Sequence, residues 1–65
     1  MENRLRELRN EKGVSLRQCS KDTGISARTI LRYEQGSIGH FENLKILADY
    51  YNVSIEYLLN KASKI

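Results

Sequence analysis

The feature that most restricts the fold of this chain is the short connection formed by Gly24, Ile25 and Ser26. The segments on either side have helical spacing, and we predict helices over residues 16–23 and 27–35. Glycine suits the left-handed backbone that often follows a helix, and serine is a strong N-cap residue. Because so short a connection cannot bring two helices back side by side, they must cross steeply, with Ile25 packed in the angle between them.

Three further helices are predicted from capping residues and apolar spacing. The first covers residues 3–12, the fourth covers residues 41–51, and the fifth follows the N-cap Ser54. The sequence has no strand pattern and no internal repeat. It therefore predicts an all-α fold, a compact bundle of about five short helices. We expect residues 1–65 to form one domain, with residues 61–65 as a frayed end or short extension.

Residues three or four apart indicate which side of each helix faces the core. Ile30 and Tyr33 form the inward face of the third helix, and the inward residues of the second are mostly small. Ser15 and Gln18 have the spacing of a capping box, in which the glutamine side chain reaches back to the N-cap residue. The fourth helix carries its apolar residues at helical spacing, namely Phe41, Leu44, Leu47, Ala48 and Tyr51.

The positive charge of the chain is concentrated in its first half. The 65 residues have a formal net charge of +3. Residues 1–34 hold eight Lys and Arg against five Asp and Glu, whereas residues 35–65 hold three of each. A basic half suggests a polyanion as partner. The single cysteine permits no internal disulfide, and no apolar run approaches the length of a membrane span, so we expect a cytoplasmic protein with no membrane partner.

The two crossed helices and their short connection have the signature of a helix-turn-helix unit. In such a unit the second helix enters the DNA major groove and the first lies across the backbone. Arg28 and Arg32 stand four residues apart, on the side away from Ile30 and Tyr33. Because the arginine fork matches guanine O6 and N7, we expect Arg28 to read a base and Arg32 to contact a base or a phosphate.

Four blocks of the sequence resemble, in order, the phage-repressor and Cro type of helix-turn-helix domain, also called the xenobiotic-response-element family. They read RLRELRNEKGVS, SLRQCSKDTGIS, TILRYEQG and FENLKILADYYNVSIEYLL, and they extend from Arg4 to Leu59. The resemblance implies a lambda-repressor-like fold and a transcriptional regulator that binds a palindromic operator in double-stranded DNA, as a homodimer at least on DNA. It implies a bacterial, phage or mobile-element protein that needs neither cofactor nor metal.

The same resemblance implies roles for individual positions. The helix over residues 27–35 is the recognition helix, and phosphates are bound by the start of the second helix and by the loop after Gly36. Arg9 pairs with Glu34. Self-association involves the start of the fifth helix, where we expect the small core to leave side chains partly uncovered. The base contacts are Ala27, Arg28 and Arg32; the phosphate contacts are Leu16, Arg17, Gln18, Ser37 and His40; the dimer surface contains Ile55 and Tyr57. Ala27 is either a contact to a thymine methyl group or a plain helix-forming residue.

The chain departs from the family pattern at three places. Leu16 stands where glutamine is frequent, and Cys19 stands where leucine is usual. The loop after Gly36 reads SIGH, one residue shorter than usual, and lacks the usual basic residues and proline. This uncharged loop favours a rival interpretation, a protein-interaction module of helix-turn-helix fold, antitoxin-like or a regulator antagonist, with an unknown protein partner. The basic first half favours DNA.

Catalysis is not expected from this sequence. It shows no acidic pair, no phosphate-cradling glycine loop and no cluster with metal-ligand spacing. Cys19 lies on the inward side of its helix, where a small buried hydrophobe is expected rather than a redox switch. Tyr33 and Tyr51 fall on apolar faces, whereas Tyr50 and Tyr57 are expected at the surface. An exposed aromatic side chain there would mark a partner surface.

Overall fold

The structure of the protein is a computed structural model that describes residues 3–37 and 39–59. These residues form five helices and no strand, in agreement with the predicted all-α bundle. None of the helices in these ranges is long and apolar enough to cross a membrane. The predicted extension over residues 61–65 lies outside the described residues. The helices are α1 (Leu5–Lys12), α2 (Leu16–Thr23), α3 (Ala27–Glu34), α4 (Phe41–Tyr51) and α5 (Ile55–Leu58).

Three of the helices begin at a serine whose hydroxyl accepts a backbone N–H from the first turn. The capping oxygens of Ser15, Ser26 and Ser54 lie 3.1, 3.2 and 3.0 Å from the donor nitrogens. The second half of the predicted capping box is wrong. The side chain of Gln18 donates to Asp22 at 2.7 Å instead of reaching back, because a carboxylate one turn along the helix is a stronger hydrogen-bond partner than a neutral backbone group.

The core contains residues from all five helices, so every helix is packed against residues that are distant in the sequence. Its buried members are Leu5, Cys19, Ile25, Ile30, Tyr33, Leu44, Leu47, Ala48 and Leu58.

Phe41 does not join this core, although its spacing predicts that it should. The residue is 67% exposed to solvent. Phe41 is the first residue of α4, and side chains on a helix tilt toward its N-terminus. A side chain at the first position of a helix has no preceding turn to cover it, and Phe41 is exposed, whereas Leu44 and Leu47 one and two turns later are buried.

The prediction that the core leaves Tyr57 uncovered is wrong. Tyr57 is only 6% exposed, and the guanidinium carbon of Arg4 lies 4.1 Å from the centre of its ring. The chain before α1 passes over α5 here, and the backbone N–H of Arg4 donates to the backbone carbonyl of Leu58 at 3.0 Å. Ile55 is half-buried against the core. The dimer surface at Ile55 and Tyr57 stays a prediction, without the exposed ring that motivated it.

Tyr50 is half-buried and joins the ends of three helices. Its hydroxyl donates to Asp22 of α2 at 2.6 Å, and the ammonium of Lys12 in α1 lies 4.7 Å from its ring centre. Burial, and next the hydrogen bond to Asp22, raise the pKa of Tyr50 to about 12. Tyr50, which we expected at the surface, thus connects α4 to α1 and α2.

Candidate nucleic-acid interface

Hydrogen bonds within the turn fix the path of the backbone as it leaves α2. Gly24 has a φ of 79° and donates its N–H to the carbonyl of Ser20 at 2.8 Å. The Thr23 hydroxyl donates to the carbonyl of Cys19 at 2.8 Å and accepts the N–H of Ile25 at 3.2 Å. Ile25 is buried in the core. The backbone N–H groups of Gly24 and Ile25 are therefore satisfied within the turn, and the buried Ile25 packs the turn against the core.

The outward face of α3 carries both of the predicted arginines. Ile30 and Tyr33 are buried, whereas Arg28 and Arg32 are exposed. Ala27, the first residue of α3, is half-buried. The predicted orientation of the helix is confirmed, and it presents two guanidinium groups one helical turn apart to the surroundings.

The predicted ion pair between Arg9 and Glu34 is present and attaches the end of α3 to α1. Arg9 Nε donates to Glu34 Oε2 at 2.7 Å and Nη2 donates to Oε1 at 3.2 Å. A third bond runs from Arg9 Nη1 to the carbonyl of Val14 at 3.1 Å. The hydrogen bond to Glu34 raises the pKa of Arg9 above its ordinary value. Such a two-point contact holds planar groups in one orientation.

Asn3 provides a second attachment of α3 that the sequence did not reveal. Its side-chain amide donates to the carbonyl of Tyr33 at 2.7 Å, and its side-chain oxygen accepts the N–H of Leu5 at 3.0 Å. An asparagine just before a helix predicts the second contact, which is local. The first joins residues far apart in the chain, and no local pattern indicates it.

The loop after α3 is packed against the ring of Tyr33. The Tyr33 hydroxyl oxygen accepts from Asn43 Nδ2 at 3.0 Å and from the His40 backbone N–H at 3.4 Å. Gly39 lies directly on this ring, because a Cβ built at Gly39 would overlap the ring atoms. Sequence reasoning missed Gly39 and Asn43. It placed Tyr33 in the core but gave no means to see what its hydroxyl contacts.

Three of the predicted DNA contacts meet in one groove between α3 and the start of α4. Arg32, Ser37 and His40 line a groove of about 290 Å³. His40 is the N-cap residue of α4, and its side chain makes no capping hydrogen bond. First-turn N–H groups of a helix attract anions, so the groove combines an arginine with the positive end of an eleven-residue helix. The remaining lining residues are Thr29, Tyr33, Gly39 and Asn43.

At the start of α2, two groups of Gln18 already have partners within the helix. The backbone N–H of Gln18 is bonded to Ser15 and its side chain to Asp22. Leu16 is half-buried against the core, so at the position where the family pattern has glutamine this chain has an apolar packing contact. The exposed side chain of Arg17 remains, together with first-turn backbone N–H groups and the second side-chain N–H of Gln18, which the bond to Asp22 leaves free.

Cys19 is fully buried, as predicted. Its sulfur lies 3.3 Å from the hydroxyl oxygen of Tyr51. Burial raises the pKa of the Cys19 thiol, so the reactive thiolate is disfavoured at neutral pH. Within residues 3–37 and 39–59, no three His, Cys, Asp or Glu side chains are grouped so as to hold a metal ion.

The sequence profile of a family described as a helix-turn-helix domain matches residues 3–64. The match covers nearly the whole chain, including the turn and the two helices that flank it. Comparisons with curated proteins and with solved structures return no significant match.

Proposed function

Since the chain belongs to the family of helix-turn-helix domains, found in regulators of the xenobiotic-response-element type, we propose that it is a sequence-specific DNA-binding transcriptional regulator. It acts without enzymatic activity or cofactor, in the cytoplasm of a bacterium or of a phage or mobile-element host. The observation that carries the proposal is the outward face of α3, on which Arg28 and Arg32 are exposed opposite the buried Ile30 and Tyr33.

In this proposal α3 lies in the major groove and α2 crosses the backbone. Arg28 is nearest the N-terminus of α3 and donates to a guanine, and Ala27 contacts a thymine methyl group. Arg32 is one turn later and lines the groove with Ser37 and His40. We expect Arg32 and the start of α4 to bind one phosphate together in this groove.

The second set of phosphate contacts lies at the start of α2. It consists of the side chain of Arg17 and the first-turn backbone N–H groups, beginning at Leu16, with Gln18 contributing the side-chain N–H that Asp22 leaves free. The DNA site is a palindrome bound by two copies of the chain, with half-sites about 34–36 Å apart. The homodimer forms at least on DNA.

The test begins with selection of binding sites from random double-stranded DNA. Affinity for the selected site and for its single-base variants is then measured at several salt concentrations. For the wild type, log affinity should fall linearly with log salt, by about 0.9 for each phosphate neutralised. Arg28→Ala should lose about 1–3 kcal/mol of preference at one symmetric base pair.

Arg17→Ala should weaken all sequences alike and reduce the salt slope by roughly one, since a phosphate contact carries no sequence information. Lys45→Ala is the matched control, because it removes one exposed positive charge from α4 outside the proposed contacts. If Arg28→Ala keeps the wild-type ranking of every variant, Arg28 is not a base reader. If no sequence is enriched and binding shows no salt slope, the proposal is wrong.

A protein-interaction module is the second candidate, and the exposure of Phe41 favours it. A ring that is 67% exposed at the start of α4 is a suitable anchor for a protein partner. Such a module would show neither the salt slope nor the base preference described above. Phe41→Ala would then abolish binding to the partner while leaving thermal stability close to that of the wild type.

A further inference from the structure

The outward face of α3 is not entirely polar. Leu31 is a large apolar residue that is 39% exposed, and it lies on the same side of α3 as Arg28 and Arg32. In a helix with 3.6 residues per turn, these three residues and Gln35 fall within an arc of about 100°. Ile30 and Tyr33 occupy the opposite, buried side.

The position of Leu31 makes it part of the surface that would meet the bases. Arg28 precedes it by three residues and Gln35 follows it by four, which are the spacings of side-chain neighbours on one face of a helix. A leucine side chain cannot form hydrogen bonds with the polar groups at the base edges. The C5 methyl group of thymine is the apolar group that a base pair presents in the major groove.

We propose that Leu31 is a specificity-determining residue that reads a thymine by contact with its methyl group. This inference rests on the proposed DNA-binding function and adds a base preference to it. The side-chain Cβ atoms of neighbours three apart on a helix are about 5–6 Å from each other, and successive base pairs are about 3.4 Å apart. The thymine therefore lies one or two base pairs from the guanine that Arg28 contacts.

The experiment replaces each thymine of the selected DNA site, one at a time, by deoxyuridine, which lacks only the methyl group. Affinity of the wild type is measured for every substituted duplex. Each thymine that is read through its methyl group should show a loss of about fourfold, which corresponds to the burial of a single methyl group at about 0.8 kcal/mol. A loss at the thymine proposed for Ala27 should persist in Leu31→Ala, whereas the loss at the thymine read by Leu31 should disappear in that variant. That thymine should lie within two base pairs of the position where Arg28→Ala loses its preference.

Leu31→Ala should bind the thymine and deoxyuridine sites equally, because a methyl side chain is too short to reach. Ile46→Ala is the matched control. Ile46 is an aliphatic side chain of similar exposure, 41%, on α4, so its truncation has a similar effect on the fold but should keep the fourfold preference. Thermal unfolding of both variants measures any loss of packing separately from base reading.

The outcomes distinguish this inference from the proposed function. A selected site with a normal salt slope but no thymine sensitive to methyl removal would overturn the role of Leu31 and leave the function standing. A Leu31→Ala variant that keeps the wild-type preference for thymine would overturn that role in the same way. Failure to select any DNA site would overturn both. If Leu31→Ala does not fold, the scan is repeated with Ala27→Gly, which removes the other proposed methyl contact. Loss of every methyl sensitivity in Ala27→Gly would overturn the role of Leu31, and a remaining sensitive thymine would support it.

Discussion

Removing Arg9 should destabilise the domain more than removing any exposed arginine of α1. Its three hydrogen bonds, at 2.7, 3.2 and 3.1 Å, join α1 to the end of α3 and to the carbonyl of Val14. The side chain of Glu34 is only 2% exposed and that of Arg9 is 13% exposed. Arg9→Ala would therefore leave a carboxylate covered by protein, with its charge uncompensated.

The size of the effect follows from this burial. Breaking a buried ion pair by removing one partner costs about 3–5 kcal/mol. Because Arg9 retains some contact with water, we expect about 3 kcal/mol, the lower end of that range. A domain of this size has a free energy of unfolding of about 3–10 kcal/mol. The melting temperature should fall by roughly 12–24 °C, since each kcal/mol shifts it by about 4–8 °C in small domains.

Thermal and urea unfolding, followed by circular dichroism, measure the loss. Arg6→Ala is the matched control, since it removes the same residue type from an exposed position of the same helix, and it should melt close to the wild type. The double variant Arg9→Met/Glu34→Leu should recover most of the stability, because an apolar pair leaves no stranded charge. Equal melting temperatures for Arg9→Ala and Arg6→Ala would refute the reasoning. A double variant as unstable as Arg9→Ala would show that lost packing, not charge, is responsible.

Two further predictions concern tyrosine contacts. Gly39→Ala should lower stability by about 1–3 kcal/mol, a cost typical of overpacking, because its Cβ would overlap the ring of Tyr33; urea unfolding against the exposed control Ser37→Ala measures it, and equal stability of the two would contradict the contact. Burial raises the pKa of Tyr51 above its ordinary value of 10.0, so its contribution to stability is complete below pH 10 and is lost as the pH rises further. Tyr51→Phe should therefore lose less stability than the wild type between pH 8 and pH 11. Tyr50→Phe should show the same effect, because the pKa of Tyr50 is raised to about 12 in the folded protein. A loss in Tyr51→Phe equal to that of the wild type would rule the contribution out.

Local interactions made much of this fold predictable from the sequence. The serine caps, the glycine after α2 and the spacing of apolar residues act within one or two helical turns, so the bounds of α2 and α4 and the start of α3 were found correctly. The outward direction of Arg28 and Arg32 follows from the same period, once Ile30 and Tyr33 are assigned to the core. The pair of Arg9 with Glu34 was predicted from the resemblance to a family, because no local rule connects two residues so far apart in the chain.

Burial at the ends of helices was decided by the tertiary structure. Phe41 has the spacing of a core residue and is exposed, because it is the first residue of its helix and no described segment covers it. Tyr57 was expected at the surface and is buried, because the chain before α1 places Arg4 over its ring. In both cases the exposure of a side chain depends on which distant segment lies against it. That arrangement follows from the packing of all five described helices together, whereas capping and helical periodicity depend on neighbours in the chain.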